Sequence, residues 1–457
     1  GEVVDGDGQP ILLRGFGLGG WLVPEGYMLH NQAWIQGFES PTDIENHVLE
    51  LIGPDEANNF WELYRANYVA QADIDKIAEW GFNHLRVPFH YKQFYDSTGT
   101  ETPIGYAIID ELITWCQPHN IYIILDMHCA PGAQNGGPIS DSDGIARLWL
   151  EDSYKELTIQ IWKEIATYYA DHTLIAGYDL INEPVLPSGV SLEEFKQLYV
   201  DITEAIREVD NNHLIWIEGI WYGTDFAGLT PPWDDNMGYS FHKYWGQTDI
   251  STILSYINLR NNYGVPLWMG ESGENSNHWY YEVFKLLEEN NIGWNFWTHK
   301  KVDKITSPYS ALVTPQYQVI IDYLRGATGQ PDPNIAGMGL TSFANSLKIE
   351  NCITRPGVIA SLTDPEYGEI SKPYTTHSIP GTIPAAYYDI GARGLSYSDS
   401  DYWNDGDGGY NDGWVFRNDG VDVEGSDDDP NIPYTVGWTE AGAVSYTHLT
   451  LPTSDLV

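Results

Sequence analysis

Short apolar runs rich in β-branched and aromatic residues recur along the chain at 11–18 (ILLRGFGL), 84–89 (HLRVPF), 121–128 (IYIILDMH), 175–181 (IAGYDLI), 213–219 (HLIWIEG), 238–244 (GYSFHKY), 266–272 (PLWMGES) and 292–298 (IGWNFWT). Segments with helical periodicity lie between them, among them 69–80, 155–170, 193–208 and 279–290. Near-continuous apolar strands suit parallel strands buried on both faces. Eight of them alternating with helices predict a (β/α)8 TIM barrel. The connection from 19 to 83 is too long for one helix and predicts an extra loop shaping the barrel mouth. Residues 317–325 and 342–363 read as closing helices.

The pattern changes after about residue 366. Residues 377–457 hold 14 acidic residues against Arg393 and Arg417, with many Gly, Tyr and Trp and no helical period. Short runs at 413–416, 421–424 and 434–438, separated by Gly, Asn and Asp, predict small antiparallel strands. The expected division is a catalytic barrel over 1–366, a linker over 367–379 and a small all-β sandwich (jelly-roll) module over 380–457, incomplete at its end.

Composition narrows the partners. Of 457 residues, 65 are acidic and 22 basic, a formal charge of −43 that would repel nucleic acid and anionic membranes. No run of 18 apolar residues exists, so no membrane span is predicted, and the opening GEVVDGDG is no signal peptide, although one removed by processing fits an extracellular protein. Cys116, Cys129 and Cys352 are too scattered for a disulfide framework or a metal cluster. The 18 Trp and 31 Tyr exceed what a core needs, and flat rings with polar rims stack on sugar faces. A monomer is expected.

The strand ends carry the candidate chemistry, as barrel active sites do. Strand 4 leads into Asn182-Glu183 and strand 7 into Glu271, which sets two carboxylates across one mouth. Glycosidic cleavage needs such a pair: one protonates the leaving oxygen, and the other attacks the anomeric carbon or activates water. Arg86, His128, His242, Tyr244 and Trp297 reach the same rim. Arg86 and Tyr244 are suited to keeping a nucleophile ionised, and the histidines to holding sugar hydroxyls or the acid. A metal-dependent hydrolase on the same barrel is disfavoured, since strand 1 lacks a His-x-His pair and two Glu end strands. An inactive binding protein is disfavoured because both Glu are present. The acidic stretches at 141–144, 405–409 and 427–429 lack the spacing of a Ca2+-binding EF-hand loop and read as solvated loops.

The motifs LRVPFHY, ILDMHCAPGAQNG, DLINEP, FHKYW, WMGESGE and GWNFWTHK resemble, in order, those of glycoside hydrolase family 5, the cellulase family of clan A, over about residues 10–365. The resemblance implies Glu183 as acid/base and Glu271 as nucleophile of a retaining mechanism that needs no cofactor. It implies Arg86, His128, Asn182, His242, Tyr244 and Trp297 as substrate-binding residues, and a β-glucan as substrate, with mannan, linkage and endo or exo attack left open. The opening GFGLGGWLVPEGYMLH is similar to fungal exo-β-1,3-glucanases, with Trp21 and Glu25 as candidate subsite residues. IPAAYYD, DGVDVE and VGWTEAG are similar to carbohydrate-binding module family 6. That implies a structural Ca2+ in the module, although Ala386 stands where that family has a Glu, and it makes Trp403, Trp414 and Trp438 stacking candidates. This region is expected to contribute little to catalysis.

Overall fold

The computed structural model describes residues 1–32, 34–96, 99–406, 409–411, 413–438 and 444–448. Eight parallel strands close into a barrel: β1 (Arg14–Gly17), β2 (His84–His90), β3 (Tyr122–Cys129), β4 (Ile175–Asp179), β5 (Leu214–Glu218), β6 (Met237–His242), β7 (Leu267–Gly273) and β8 (Gly293–Trp297). β1 pairs with both β2 and β8, so no edge is left open. Successive side chains point to opposite faces of a strand. Outward residues such as Leu85, Val87, Ile123, Leu125, Ile215, Ile217, Tyr239 and Phe241 join the large core beneath the helices. Inward residues Leu13, Ile124, Trp216 and Trp268 plug the floor of the barrel. One layer higher the inward positions turn polar, with Arg86, Asp126, Asp179, Glu218 and Ser240 all buried.

Helices coat the barrel at Gln71–Glu79, Ile104–Cys116, Asp152–Tyr169, Leu192–Arg207, Leu254–Tyr263 and Asn277–Glu289. The Leu192–Arg207 helix starts as its sequence dictates: Ser191 accepts from Glu194 N–H, and the Glu194 carboxylate accepts from Ser191 N–H. The long β1–β2 connection is mostly helical rather than a loop, with helices at Pro41–Ile52 and Pro54–Tyr68 before the expected one. The predicted closing helix over 342–363 is broken. One helix ends at Ser346, a two-residue strand Ile353–Thr354 follows, and a new helix starts at Pro356. Proline lacks the N–H that an uninterrupted helix would require there.

Among the described residues, the region after residue 366 contributes two small antiparallel sheets, Tyr397–Ser398 with Val444–Ser445 and Val423–Asp429 with Ile432–Val436. A cluster of Ala386, Tyr388, Tyr397, Val421 and Val423 lies beneath them. The run 413–416 is not a strand. Trp414 (φ 50°) and Phe416 (φ 67°) take left-handed backbone, and the Phe416 ring stacks on Tyr434 with centroids 4.3 Å apart. Trp403 packs against the barrel's core, whereas Trp414 and Trp438 are exposed. Residues 439–442 of VGWTEAG, residues 407–408 of the acidic stretch at 405–409, and the final 449–457 lie outside the described residues. At 141–144 Asp143 and Gly144 are exposed, as expected of a solvated loop, whereas Asp141 accepts from Thr42 and pairs with His90 and Lys92. No helix among the described residues is long and apolar enough to cross a membrane.

Candidate active site

The two catalytic and six substrate-binding candidates converge on the mouth of the barrel. Arg86, fully buried on β2, organises the floor. Its Nε donates to Asp179 at 2.9 Å, its Nη1 donates to Glu271 and lies 3.1 Å from Asp126, and its Nη2 donates to Asn182 Oδ1 at 2.8 Å and Glu218 at 3.0 Å. A guanidinium with five donors in a planar fork suits such a ring of acceptors.

Glu271 lies on β7 where the register with both neighbours shifts, an irregularity that turns its side chain inward. Tyr244, two residues past β6, donates its hydroxyl to Glu271 Oε2 at 2.6 Å. Burial works to raise the Glu271 pKa, but the charges of His242, Arg86 and His128 and the Tyr244 hydrogen bond outweigh it and bring it down to about 2.

Glu183 follows β4 with a left-handed backbone (φ 48°), a conformation that costs a non-glycine residue roughly 1–3 kcal/mol. Two buried contacts hold it there: Glu183 N–H donates to Glu218 at 2.7 Å, and Asn135 Nδ2 donates to its carbonyl at 3.0 Å. The side chain meets His242 Nδ1 at 2.8 Å. Burial pushes the Glu183 pKa up, opposed by His242 and aided by the charge of Glu271. One oxygen of each carboxyl and a His242 nitrogen lie within 4.8 Å of one another. The two carboxyls are thus close, with protonation tendencies in opposite directions.

His242 Nε2 stands 3.1 Å from Glu218, and its pKa is held well above the ordinary value although burial works to lower it. His128 hydrogen-bonds Asp126 through Nδ1 at 2.8 Å. Burial would lower its pKa, but Asp126, Glu271 and Glu25 raise it to about 9. Its ring stacks on Trp297, with centroids 5.3 Å apart and planes 7° from parallel. Trp297 Nε1 donates to the Tyr27 hydroxyl at 3.0 Å. The indole lies so close to the backbone just past β1 that a Cβ built on Gly19 would stand 2.6 Å from its ring.

A cavity of about 680 Å³ opens above these groups, lined by Glu25, Tyr27, His128, Glu183, His242, Tyr244, Glu271, Glu274 and Trp297. The exposed rings of Trp221, Tyr222 and Trp245 stand at its rim. Trp21 takes no part. It is buried in the core and donates through Nε1 to the Arg65 carbonyl at 3.0 Å. Glu25 does line the cavity, and burial raises its pKa to about 8. The sequence reading missed Asp126, Asp179 and Glu218, although each is a lone acid in an otherwise apolar strand and so needs a buried cation as partner. Tyr27, Glu274 and the rim aromatics come from loops without such a signal.

Asp126, His128 and Glu271, and likewise Glu183, His242 and Glu271, are spaced closely enough to hold a cation. The Arg86 guanidinium already touches Asp126 and Glu271 and would repel one.

The sequence model of cellulase (glycosyl hydrolase family 5) matches residues 44–302. A "Beta-xylosidase" of Phanerodontia chrysosporium is 28% identical over 363 residues, covering 71% of this chain and 74% of that protein. "Endoglucanase C" of Acetivibrio thermocellus is 25% identical over 300 residues, covering 52% and 85%. A "Probable glucan 1,3-beta-glucosidase A" of Aspergillus clavatus is 27% identical over 212 residues, covering 44% and 48%. Among solved structures, a rutinosidase from Aspergillus niger shares the fold with a TM-score of 0.52 at 18% identity, covering 64% of this chain and 90% of that one. With the family pattern running through more than half of its length, the chain belongs to glycosyl hydrolase family 5 and is a glycoside hydrolase.

Proposed function

We propose that the chain is a retaining β-glucanase in which Glu183 is the acid/base and Glu271 the nucleophile. The observation that carries this reading is the close carboxyl pair with opposed protonation tendencies. Retaining enzymes keep their carboxyl groups about 5–5.5 Å apart, whereas inverting enzymes leave about 6.5–9.5 Å for a water. An approach within 4.8 Å supports the retaining class.

In the first step neutral Glu183 gives its proton to the glycosidic oxygen as Glu271 attacks the anomeric carbon and the leaving sugar departs. In the second, Glu183 takes a proton from water, and that water displaces Glu271. The proximity of His242 to Glu183 limits the upward pKa shift, so the same carboxyl can give a proton and take one back. Asn182 suits a sugar hydroxyl: its Oδ1 is taken by Arg86, while its buried Nδ2 has no protein partner among the described residues. Trp297 supplies an apolar wall for the scissile sugar, and Trp221, Tyr222 and Trp245 supply stacking surfaces for neighbouring sugars, which supports a polysaccharide over a small glycoside. Proton and nucleophile both come from carboxyls, so the reading calls for no metal.

The relatives' names span xylosides, endo-cleaved glucans and β-1,3-glucans. A glucan is favoured here by the resemblance of the opening residues 15–30 to fungal exo-β-1,3-glucanases. The test is proton NMR of the first product released from purified β-1,4- and β-1,3-glucan oligosaccharides. The reading predicts the β-anomer first on one of them. The α-anomer first would overturn it.

A further inference from the structure

We propose that Asn275 is a positioning residue that ties the C-terminal region to Tyr244, and through Tyr244 to Glu271, so that Asn404, Asn418 and Asp419 help to build the catalytic mouth rather than belonging to a pendant module. The inference rests on the reading above that Tyr244 keeps Glu271 ionised.

Asn275 lies two residues past β7 and is fully buried. Its Nδ2 donates to the Tyr244 carbonyl at 2.9 Å and to the Asn404 carbonyl at 2.9 Å. Its Oδ1 accepts from the N–H groups of Asn404 and Ser276, each at 2.8 Å. One amide thus uses both donors and both acceptor positions to join the loop after β6, the loop after β7 and the C-terminal region. The Asn275 carbonyl accepts from Asn418 Nδ2 at 2.8 Å. Asn418 also bonds Asn277 Oδ1 at 3.0 Å, its carbonyl accepts from Asn277 N–H at 2.9 Å, and Asn277 Nδ2 donates to Asp419 at 2.9 Å. Asn277, Asn418 and Asp419 are all buried. A module tethered by a linker needs no such clasp, since buried amides and carboxylates are retained only where every partner is in place.

The clasp reaches the cleft on two sides. Fixing the Tyr244 carbonyl fixes the origin of the ring whose hydroxyl holds Glu271. On the other side, a Cβ built on Gly406 would lie 3.9 Å from Trp245 Cδ1, so the C-terminal loop flanks a rim aromatic. A displacement of about 1 Å at a reacting centre can cost on the order of a hundredfold in rate, so a modest release of Tyr244 is measurable.

The experiment uses the full chain with Asn275→Ala, Asn418→Ala and the reference Tyr244→Phe, reading kcat/KM against pH on a soluble β-glucan oligosaccharide alongside thermal unfolding. Asn418 reaches Tyr244 and Glu271 only through Asn275, so its variant keeps the test sound if Asn275→Ala does not fold. Both Asn variants should lose about tenfold in kcat/KM and move the acidic limb to higher pH, as Tyr244→Phe does. Asn275→Ala added to Tyr244→Phe should then cost about twofold or less. If Tyr244→Phe moves the limb and the Asn variants lose only stability, the coupling is overturned and the functional reading stands. If Tyr244→Phe itself leaves the limb in place, the functional reading fails at Tyr244 and takes the coupling with it.

Discussion

Replacing Arg86 by Met is the most informative perturbation of the barrel floor. The guanidinium is fully buried and is the shared cation of Asp126, Asp179, Glu218 and Glu271. Methionine fills much of the volume and supplies no charge. Breaking one buried pair costs about 3–5 kcal/mol because it strands a charge. Here Glu218 and Glu271, both held below the ordinary carboxylate value, lose that partner, while burial already pushes Asp126 and Asp179 up, so a loss within that range is expected near neutral pH, with protonation of the stranded carboxyls limiting it. The sign with pH follows from the same carboxyls. In the native chain Glu271 is held down to about 2, so its contribution is present above the ordinary carboxylate value and is lost as pH falls through about 2. In Arg86→Met the charge of His242 remains, but Glu218 and Glu271 lose the Arg86 charge, so their folded-state pKa values move up from the native ones. The deficit against the native chain should therefore be smallest at acid pH, where these carboxyls are protonated in the variant, and largest near pH 8. Urea unfolding followed by tryptophan fluorescence at pH 4.5, 6 and 8 measures it. A deficit under about 1 kcal/mol at every pH would show that the carboxyls do not depend on Arg86.

Further outcomes follow from other parts of the mouth. Glu25→Gln should remove a stability loss that the native chain suffers between its ordinary value and about pH 8, with a slope of up to about 1.4 kcal/mol per pH unit. Parallel stability profiles of the two proteins over pH 5–8 would show that Glu25 is not held neutral. Gly19→Ala should drive a Cβ into the Trp297 ring, which lines the cavity, and lower kcat/KM more than it lowers stability; unchanged kinetics would remove Trp297 from the scissile subsite. Trp245→Ala should raise KM for long oligosaccharides with little change for the shortest cleaved one, a loss on the order of 1–3 kcal/mol if the ring stacks a sugar. Equal effects at every chain length would exclude such a subsite.

The barrel was legible because buried parallel strands leave continuous apolar runs, and β2 to β8 fall within a few residues of the runs that announced them. The seven polar residues at or just past the strand ends were legible for the same reason, since a polar group interrupting an apolar strand has few places to go but the mouth. That logic applied equally to Asp126, Asp179 and Glu218, which went unnoticed because the Arg86 side chain that satisfies them is distant in sequence and its fourfold pairing exists only once the barrel closes. Loop residues gave less away. Asn275 and Asn418 are ordinary turn residues in sequence, and their roles depend on a contact across 143 positions. The run 413–416 looked like a strand by composition, but Trp414 and Phe416 adopt left-handed backbone in the tertiary setting.

The most direct test of the central claim is to trap the covalent intermediate. A 2-deoxy-2-fluoro-β-glucosyl substrate with a good leaving group slows breakdown of a glycosyl-enzyme, so peptide mass spectrometry can locate the attached sugar. One glucosyl adduct per chain on the peptide holding Glu271, absent in Glu271→Gln, is the predicted result. Full turnover of natural oligosaccharide with no adduct, or an adduct on a different carboxyl, would contradict the assignment of Glu271 as the nucleophile.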